Sequence, residues 1–217
     1  MKEKFLGSLV DRFIGTVNFL MNEKVISTKD LEEYTESNLH SWLQYALIKA
    51  GEKEGLFAVP EVKLRFSKPL DPNWYGLNRK RKRHLSRVDV GFYRFHDESK
   101  RRELVGIAEI FTLDEAHGCL PSKKLIENGH YWLTPRDSLS HAVQYAMDQP
   151  KFIILVTVLL KMSPHIPWKT KIEEIDSELM RHRNYYKVFK PCWKKFKESL
   201  HLESALLIIN EEGIEIV

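Results

Sequence analysis

Residues 151–160, KFIILVTVLL, limit the fold more narrowly than any other stretch of the chain. The segment is nearly all apolar and rich in β-branched side chains. A membrane span needs about 18 or more apolar residues, and this run is far shorter. A strand with one face in water alternates apolar and polar residues; this one does not. It reads as a strand buried on both faces, as in a sheet covered by other layers on each side.

The elements around it predict what those layers are. Residues 3–22 place Phe5, Leu9, Phe13, Val17 and Leu20 at helical spacing, which predicts an amphipathic helix. Thr28 reads as the N-cap of a second helix over about 29–50, with Tyr34, Leu39, Leu43, Ala46 and Leu47 as its apolar stripe and Gly51 as its stop. Residues 59–66 predict a first strand, with Val62, Leu64 and Phe66 on one side and Glu61, Lys63 and Arg65 on the other. Residues 87–95 and 103–112 predict two more strands, joined by a polar hairpin turn. The segment 113–136 is irregular and long for a connection, the mark of a functional loop. Helices are expected over 137–148 and 169–200, the latter interrupted near Pro191, and short strands over 206–209 and 214–217. This order predicts an α/β fold, a mixed central β-sheet flanked by helices. The chain of 217 residues divides into an N-terminal helix, residues 1–28, and one α/β domain, residues 29–217.

Net charge is +4, but it is unevenly placed. Residues 79–84 read Arg-Lys-Arg-Lys-Arg-His, and a second basic stretch runs from Arg181 to Lys197. Clustered positive charge attracts phosphate backbones, although charge runs also occur as solvated faces. The two cysteines, Cys119 and Cys192, have neither metal-site spacing nor pairing logic. With no leader-like segment at the N-terminus and no long apolar run, a reducing cytoplasmic setting without membrane contact is expected.

Asp89 lies inside the second predicted strand and Glu109 inside the third. Acidic residues are depleted in strands and are rarely buried without a partner. The plainer explanation, preferred for an isolated pair, is that these acids face solvent or pair with nearby bases such as Arg87 or Arg94. A divalent cation bound by both carboxylates explains the pair, since Mg²⁺ takes hard oxygen ligands and leaves room for phosphate and water.

The wider pattern favours the cation. Glu36 opens "ESNLHSWLQYAL" on the second helix, Glu61 follows in "VPEVKLRF", Asp89 in "SRVDVGFY" and Glu109 in "VGIAEIF". In order and spacing, over about residues 36–160, this resembles the PD-(D/E)xK superfamily of restriction-endonuclease-like and Holliday-resolvase-like nucleases. "HAVQYAM", with Gln144 and Tyr145, resembles the polar helix that follows the third strand in several members. The resemblance implies a restriction-endonuclease-like core and a Mg²⁺- or Mn²⁺-dependent DNA endonuclease. It implies Asp89 and Glu109 as metal ligands, the Ile110 carbonyl as a third oxygen, and Glu36 and Glu61 beside them. DNA is the implied partner, contacted by Arg79, Lys80, Arg81, Lys82, Arg83, Arg181, Arg183 and Lys187. A homodimer is the implied assembly, with residues 3–22 as a candidate interface.

One position departs from the family. Its motif places a lysine two residues after the last acid, and here that residue is Phe111. Lys63 on the neighbouring strand is the first choice to replace it. The alternative is a non-catalytic nucleic-acid-binding or assembly protein on the same fold.

Other groups have plainer readings. Asp114, Glu115 and His117 follow the third strand and either extend the site or form a polar loop, the plainer reading; His40, one turn after Glu36 on the same helix face, either reaches the site or is an ordinary interface histidine, again the plainer reading. Tyr185, Phe189, Trp193 and Phe196 form one helical stripe, hence core. The chain has no Gly-rich phosphate loop, no His-Glu-x-x-His, no nucleophile elbow and no zinc spacing.

Overall fold

The computed structural model describes residues 3–27, 36–65, 85–96, 101–112, 150–158, 197, 202–210 and 213–217. Helix α1 spans Glu3–Asn22 and α2 spans Glu36–Lys53. Six strands follow: β1 (Phe57–Arg65), β2 (Leu85–His96), β3 (Arg101–Thr112), β4 (Phe152–Val158), β5 (Glu203–Asn210) and β6 (Gly213–Ile216). They form one mixed sheet in chain order, β1 to β6. β1–β2–β3 is antiparallel, β4 and β5 run parallel to β3, and β6 turns back antiparallel. The predicted α/β class and mixed sheet are therefore present.

Helix α1 is amphipathic as its spacing predicts. Leu9, Val10, Phe13, Val17 and Leu20 are buried, and they join Leu39, Leu43, Ala46, Leu47 and Ala50 of α2 in one core with Val90, Phe92, Ala108, Ile110, Ile154, Val156 and Leu207 of the sheet. The stripe of α1 is thus used within the chain. Side chains of the opposite register, Ile107, Ile153, Leu155, Leu206 and Ile208, are also fully buried. All seven residues of β4 are buried, as expected of a strand covered on both faces.

Both helices close with the same device. At the end of α1, Lys24 adopts φ 57°, its N–H donates to the Met21 carbonyl and that of Val25 to the Leu20 carbonyl. At the end of α2, Gly55 adopts φ 73°, its N–H donates to the Glu52 carbonyl and that of Leu56 to the Gly51 carbonyl. These are Schellman closures, which satisfy the last carbonyls of a helix. The expected stop at Gly51 is corrected: Gly51 lies inside α2, against Phe92, and Gly55 supplies the left-handed residue that ends the helix.

The strands differ from expectation mainly in extent. β1 begins at Phe57, and its alternation is broken at Glu61, which takes φ 52°. β5 is longer than its predicted core, and β6 keeps the predicted length, shifted one residue towards the N-terminus. The hairpin turn, the segment 113–136, the helix at 137–148 with Gln144 and Tyr145, and nearly all of the 169–200 helix lie outside the described residues. No helix among the described residues is long and apolar enough to cross a membrane.

One polar tie locks α1 to the end of α2. Ser8 Oγ donates to Glu54 Oε1 at 2.7 Å, and Arg12, one turn further along α1, pairs with the same oxygen. The Ser8 hydrogen bond pulls the Glu54 carboxyl below its ordinary pKa; partial burial opposes this and Arg12 adds to it. Glu54→Gln is expected to cost about 0.5–1 kcal/mol in urea unfolding at neutral pH. A lowered folded-state pKa contributes stability that is present above the unfolded value, about 4.3, and is lost as pH falls through the folded one. The two proteins should therefore converge at acid pH, and a gap that persists there would exclude the ionised carboxylate as its source.

Candidate functional site

The site is built where the sheet forks. β2 and β3 pair from His96↔Arg101 to Val90↔Ala108, with a register shift at Phe92/Tyr93. Among the described residues the ladder stops there, and the next positions are Asp89 and Glu109. Beyond this point β2 remains paired with β1, through Val62↔Val88 to Arg65↔Leu85. β3 remains paired with β4, through Glu109↔Leu155 to Thr112↔Val158. Each strand follows its outer neighbour, and the two acids stand at the crotch.

Asp89 belongs to neither ladder. The β1–β2 register passes from Pro60↔Val90 to Val62↔Val88 without a Glu61↔Asp89 pair, at the residue whose φ is left-handed. Other groups hold Asp89 instead. The Ile110 N–H donates to Oδ2 at 2.6 Å, His40 Nε2 lies 3.2 Å from Oδ1, and Gln44 Nε2 donates to the Asp89 carbonyl at 2.8 Å. The Asp89 side chain is 17% exposed, and Glu109 is buried at 6%.

Burial pushes the Asp89 carboxyl towards its neutral form. The hydrogen bonds from His40 and Glu109, the charge of His40 and the Ile110 N–H together outweigh burial, so the pKa falls below the ordinary aspartate value. A carboxylate has roughly four acceptor directions. Ile110 and His40 fill two of those of Asp89.

The Ile110 carbonyl faces the same fork. Lys151 N–H donates to the Val105 carbonyl across the β3–β4 boundary, while Ile110 N–H turns towards β2. In a strand the N–H and C=O of one residue point to the same neighbour, so the Ile110 oxygen is directed to the β2 side, beyond the end of the ladder. Two carboxylates and one carbonyl make a hard-oxygen donor set of the kind that suits Mg²⁺ or Mn²⁺ with several waters. Among the described residues no cluster of three or more His, Cys, Asp or Glu side chains is arranged to hold a metal. A cation here would rest on the two acids, the backbone oxygen and solvent.

The other predicted site residues are placed as follows. Glu36 is the first residue of α2, one turn before His40; its side chain is outside the described part. Glu61 is exposed on β1, its Oε2 3.5 Å from Arg87 Nη1. Lys63 is exposed on β1 in register with Arg87. Phe111 pairs in register with Thr157, and its side chain is outside the described part. Arg79–Arg83, Arg181, Arg183, Lys187, Asp114, Glu115 and His117 are outside the described residues. Of the two readings of His40, the structure favours the less plain one, since its Nε2 lies 3.2 Å from the Asp89 carboxylate. Gln44 was not anticipated; the i, i+4 spacing Glu36–His40–Gln44, one face of a helix, was the available signal.

Comparisons with protein-family models, with curated proteins and with solved structures return no match.

Proposed function

We propose that the chain is a Mg²⁺- or Mn²⁺-dependent DNA endonuclease with a variant active site on a restriction-endonuclease-like core. The observation that carries this reading is the placement of Asp89 and Glu109 at the fork between β2 and β3, with the Asp89 carboxylate held by the Ile110 N–H and His40. The element order supports it: a helix, an antiparallel three-stranded meander, and a fourth strand parallel to the third.

Asp89, Glu109 and the Ile110 carbonyl would hold the cation. A bound divalent cation supplies charge neutralisation at the phosphodiester and a water that ionises near neutral pH. The chain's own share is to present two mostly buried acids at a sheet fork. Arg79–Arg83, Arg181, Arg183 and Lys187 are the groups proposed to contact DNA phosphates. Pairing of two copies to cut both strands would use a surface other than the apolar stripe of α1, which the chain's own core consumes.

Phe111 favours a second reading, a non-catalytic nucleic-acid-binding protein, because its side chain can neither orient a water nor carry charge. Incubation with supercoiled and linear DNA in Mg²⁺ or Mn²⁺ separates the two. Nicking or linearisation that EDTA suppresses is the expected result. Salt-sensitive DNA binding without cleavage in either metal would leave the second reading in place.

A further inference from the structure

Asp89 is a mid-sheet residue missed by the ladders on both sides, and the features that free it are specific. On one side β3 diverges after Val90↔Ala108. On the other, Glu61 takes φ 52°, a conformation that costs a non-glycine residue about 1 kcal/mol or more. Strain of this kind persists only where the surroundings impose it. Its effect here is to remove the Glu61↔Asp89 pair and leave the Asp89 backbone to another partner. That partner is a side chain of α2: Gln44 Nε2 donates to the Asp89 carbonyl at 2.8 Å. One turn earlier on the same helix, His40 Nε2 stands 3.2 Å from the Asp89 carboxylate.

We propose that α2 is the positioning element of this site: His40 and Gln44 hold Asp89 by its carboxylate and its carbonyl, and through it set the affinity of the Asp89–Glu109 pair for a divalent cation. The inference rests on the metal-site reading given above. Neither residue is needed to fill the core. Leu39, Leu43, Ala46 and Leu47 already bury the apolar stripe of α2, whereas His40 and Gln44 are only half-buried at its polar margin. Both meet the sheet at Asp89. A sheet residue fixed by its own ladder would need neither.

The division of labour follows from geometry. The Ile110 N–H fixes Oδ2 from within the sheet, and the His40 N–H fixes Oδ1 from the helix. The carboxylate plane is thereby set, one oxygen from the sheet and one from the helix. Gln44 fixes the backbone from which that side chain hangs. Groups that hydrogen-bond to ligating carboxylates change metal affinity by about 10–100-fold when removed.

The test is direct Mn²⁺ binding, read from the loss of the free-ion electron paramagnetic resonance signal. It uses the full chain as wild type, Asp89→Asn, His40→Ala, His40→Gln and Gln44→Leu, with circular dichroism to show that each is folded. His40→Ala and Gln44→Leu are each expected to raise the Mn²⁺ dissociation constant about tenfold or more. His40→Gln, whose amide can reach Oδ1 in place of Nε2, should recover most of that loss, which a purely structural role for His40 would not predict. Wild-type binding that Asp89→Asn abolishes, but that His40→Ala and Gln44→Leu leave unchanged, overturns this inference and keeps the metal site. No wild-type Mn²⁺ binding overturns both. If Gln44→Leu does not fold, Gln44→Met replaces it, with the same two readings.

Discussion

Asp89→Asn and Glu109→Gln are each expected to lower the rate of Mg²⁺-dependent DNA cleavage by about a thousandfold or more while the fold survives. The size follows from the work asked of the pair. A cation at a phosphodiester contributes several kcal/mol of transition-state stabilisation, and each 1.36 kcal/mol is about tenfold in rate. Both substitutions replace one carboxyl oxygen by an amide nitrogen, which cannot ligate a hard cation, and keep the shape. Asparagine retains an oxygen able to accept the Ile110 N–H, which Asp89 accepts at 2.6 Å. Glutamine preserves the volume of Glu109, which is only 6% exposed. Stability and activity should therefore separate: small shifts in the urea midpoint, large losses in gel-based cleavage. Alanine at the same positions is the poorer probe, because Asp89→Ala leaves a mostly buried N–H without its acceptor. Isosteric variants that cut DNA at the wild-type rate would exclude the pair from the chemistry.

Gly106→Ala is expected to destabilise the protein by about 3 kcal/mol, at the upper end for an overpacked core. A Cβ at this position would stand inside the ring of Phe152, which faces Gly106 across the β3–β4 ladder. The ring has nowhere to retreat. It packs at 5.5 Å from Phe92 and 6.0 Å from Phe5, and Phe152 is 3% exposed. Set against a total stability of about 5–15 kcal/mol, one methyl group removes a large share. The two residues should couple. Phe152→Leu alone also costs stability, but in the Gly106→Ala background it relieves the clash, so the double variant should be more stable than Gly106→Ala alone. Urea curves showing simply additive losses would mean that the close approach of glycine and ring is not the cause.

These expectations depend on features that are unevenly legible in the sequence. The apolar run at 152–158 announces a strand covered on both faces because periodicity is local and needs no knowledge of neighbours. The stripes of α1 and α2 are legible for the same reason. Asp89 and Glu109 could be singled out because an acid in the middle of an apolar strand is anomalous wherever it packs. Their meeting is another matter. It depends on a register between β2 and β3 and on the point where the two strands part, both non-local properties. The sequence leaves the role of His40 open because a polar residue at the margin of a helix looks the same whether it faces water or a carboxylate. Gly51 and Gly55 were equally plausible helix stops by residue type. Close packing on Phe92 keeps the first inside the helix, and the second takes the left-handed turn. The kink at Glu61 had no signal in residue type, since glutamate seldom adopts that conformation.

The irregularity in β1 has a consequence at the other side of that strand. β1 is an outer strand of the described sheet, and an outer strand offers its backbone to any chain able to extend the ladder. This one offers a poor template. Pro60 has no N–H to give, Glu61 takes a left-handed φ that interrupts the extended backbone, and Glu61 and Lys63 are exposed charges on the strand. β6, at the opposite margin, is only four residues long. The same bend that releases Asp89 inward thus blunts the sheet outward, and the protein is guarded against growing into a fibre by a residue whose other effect is to open its site.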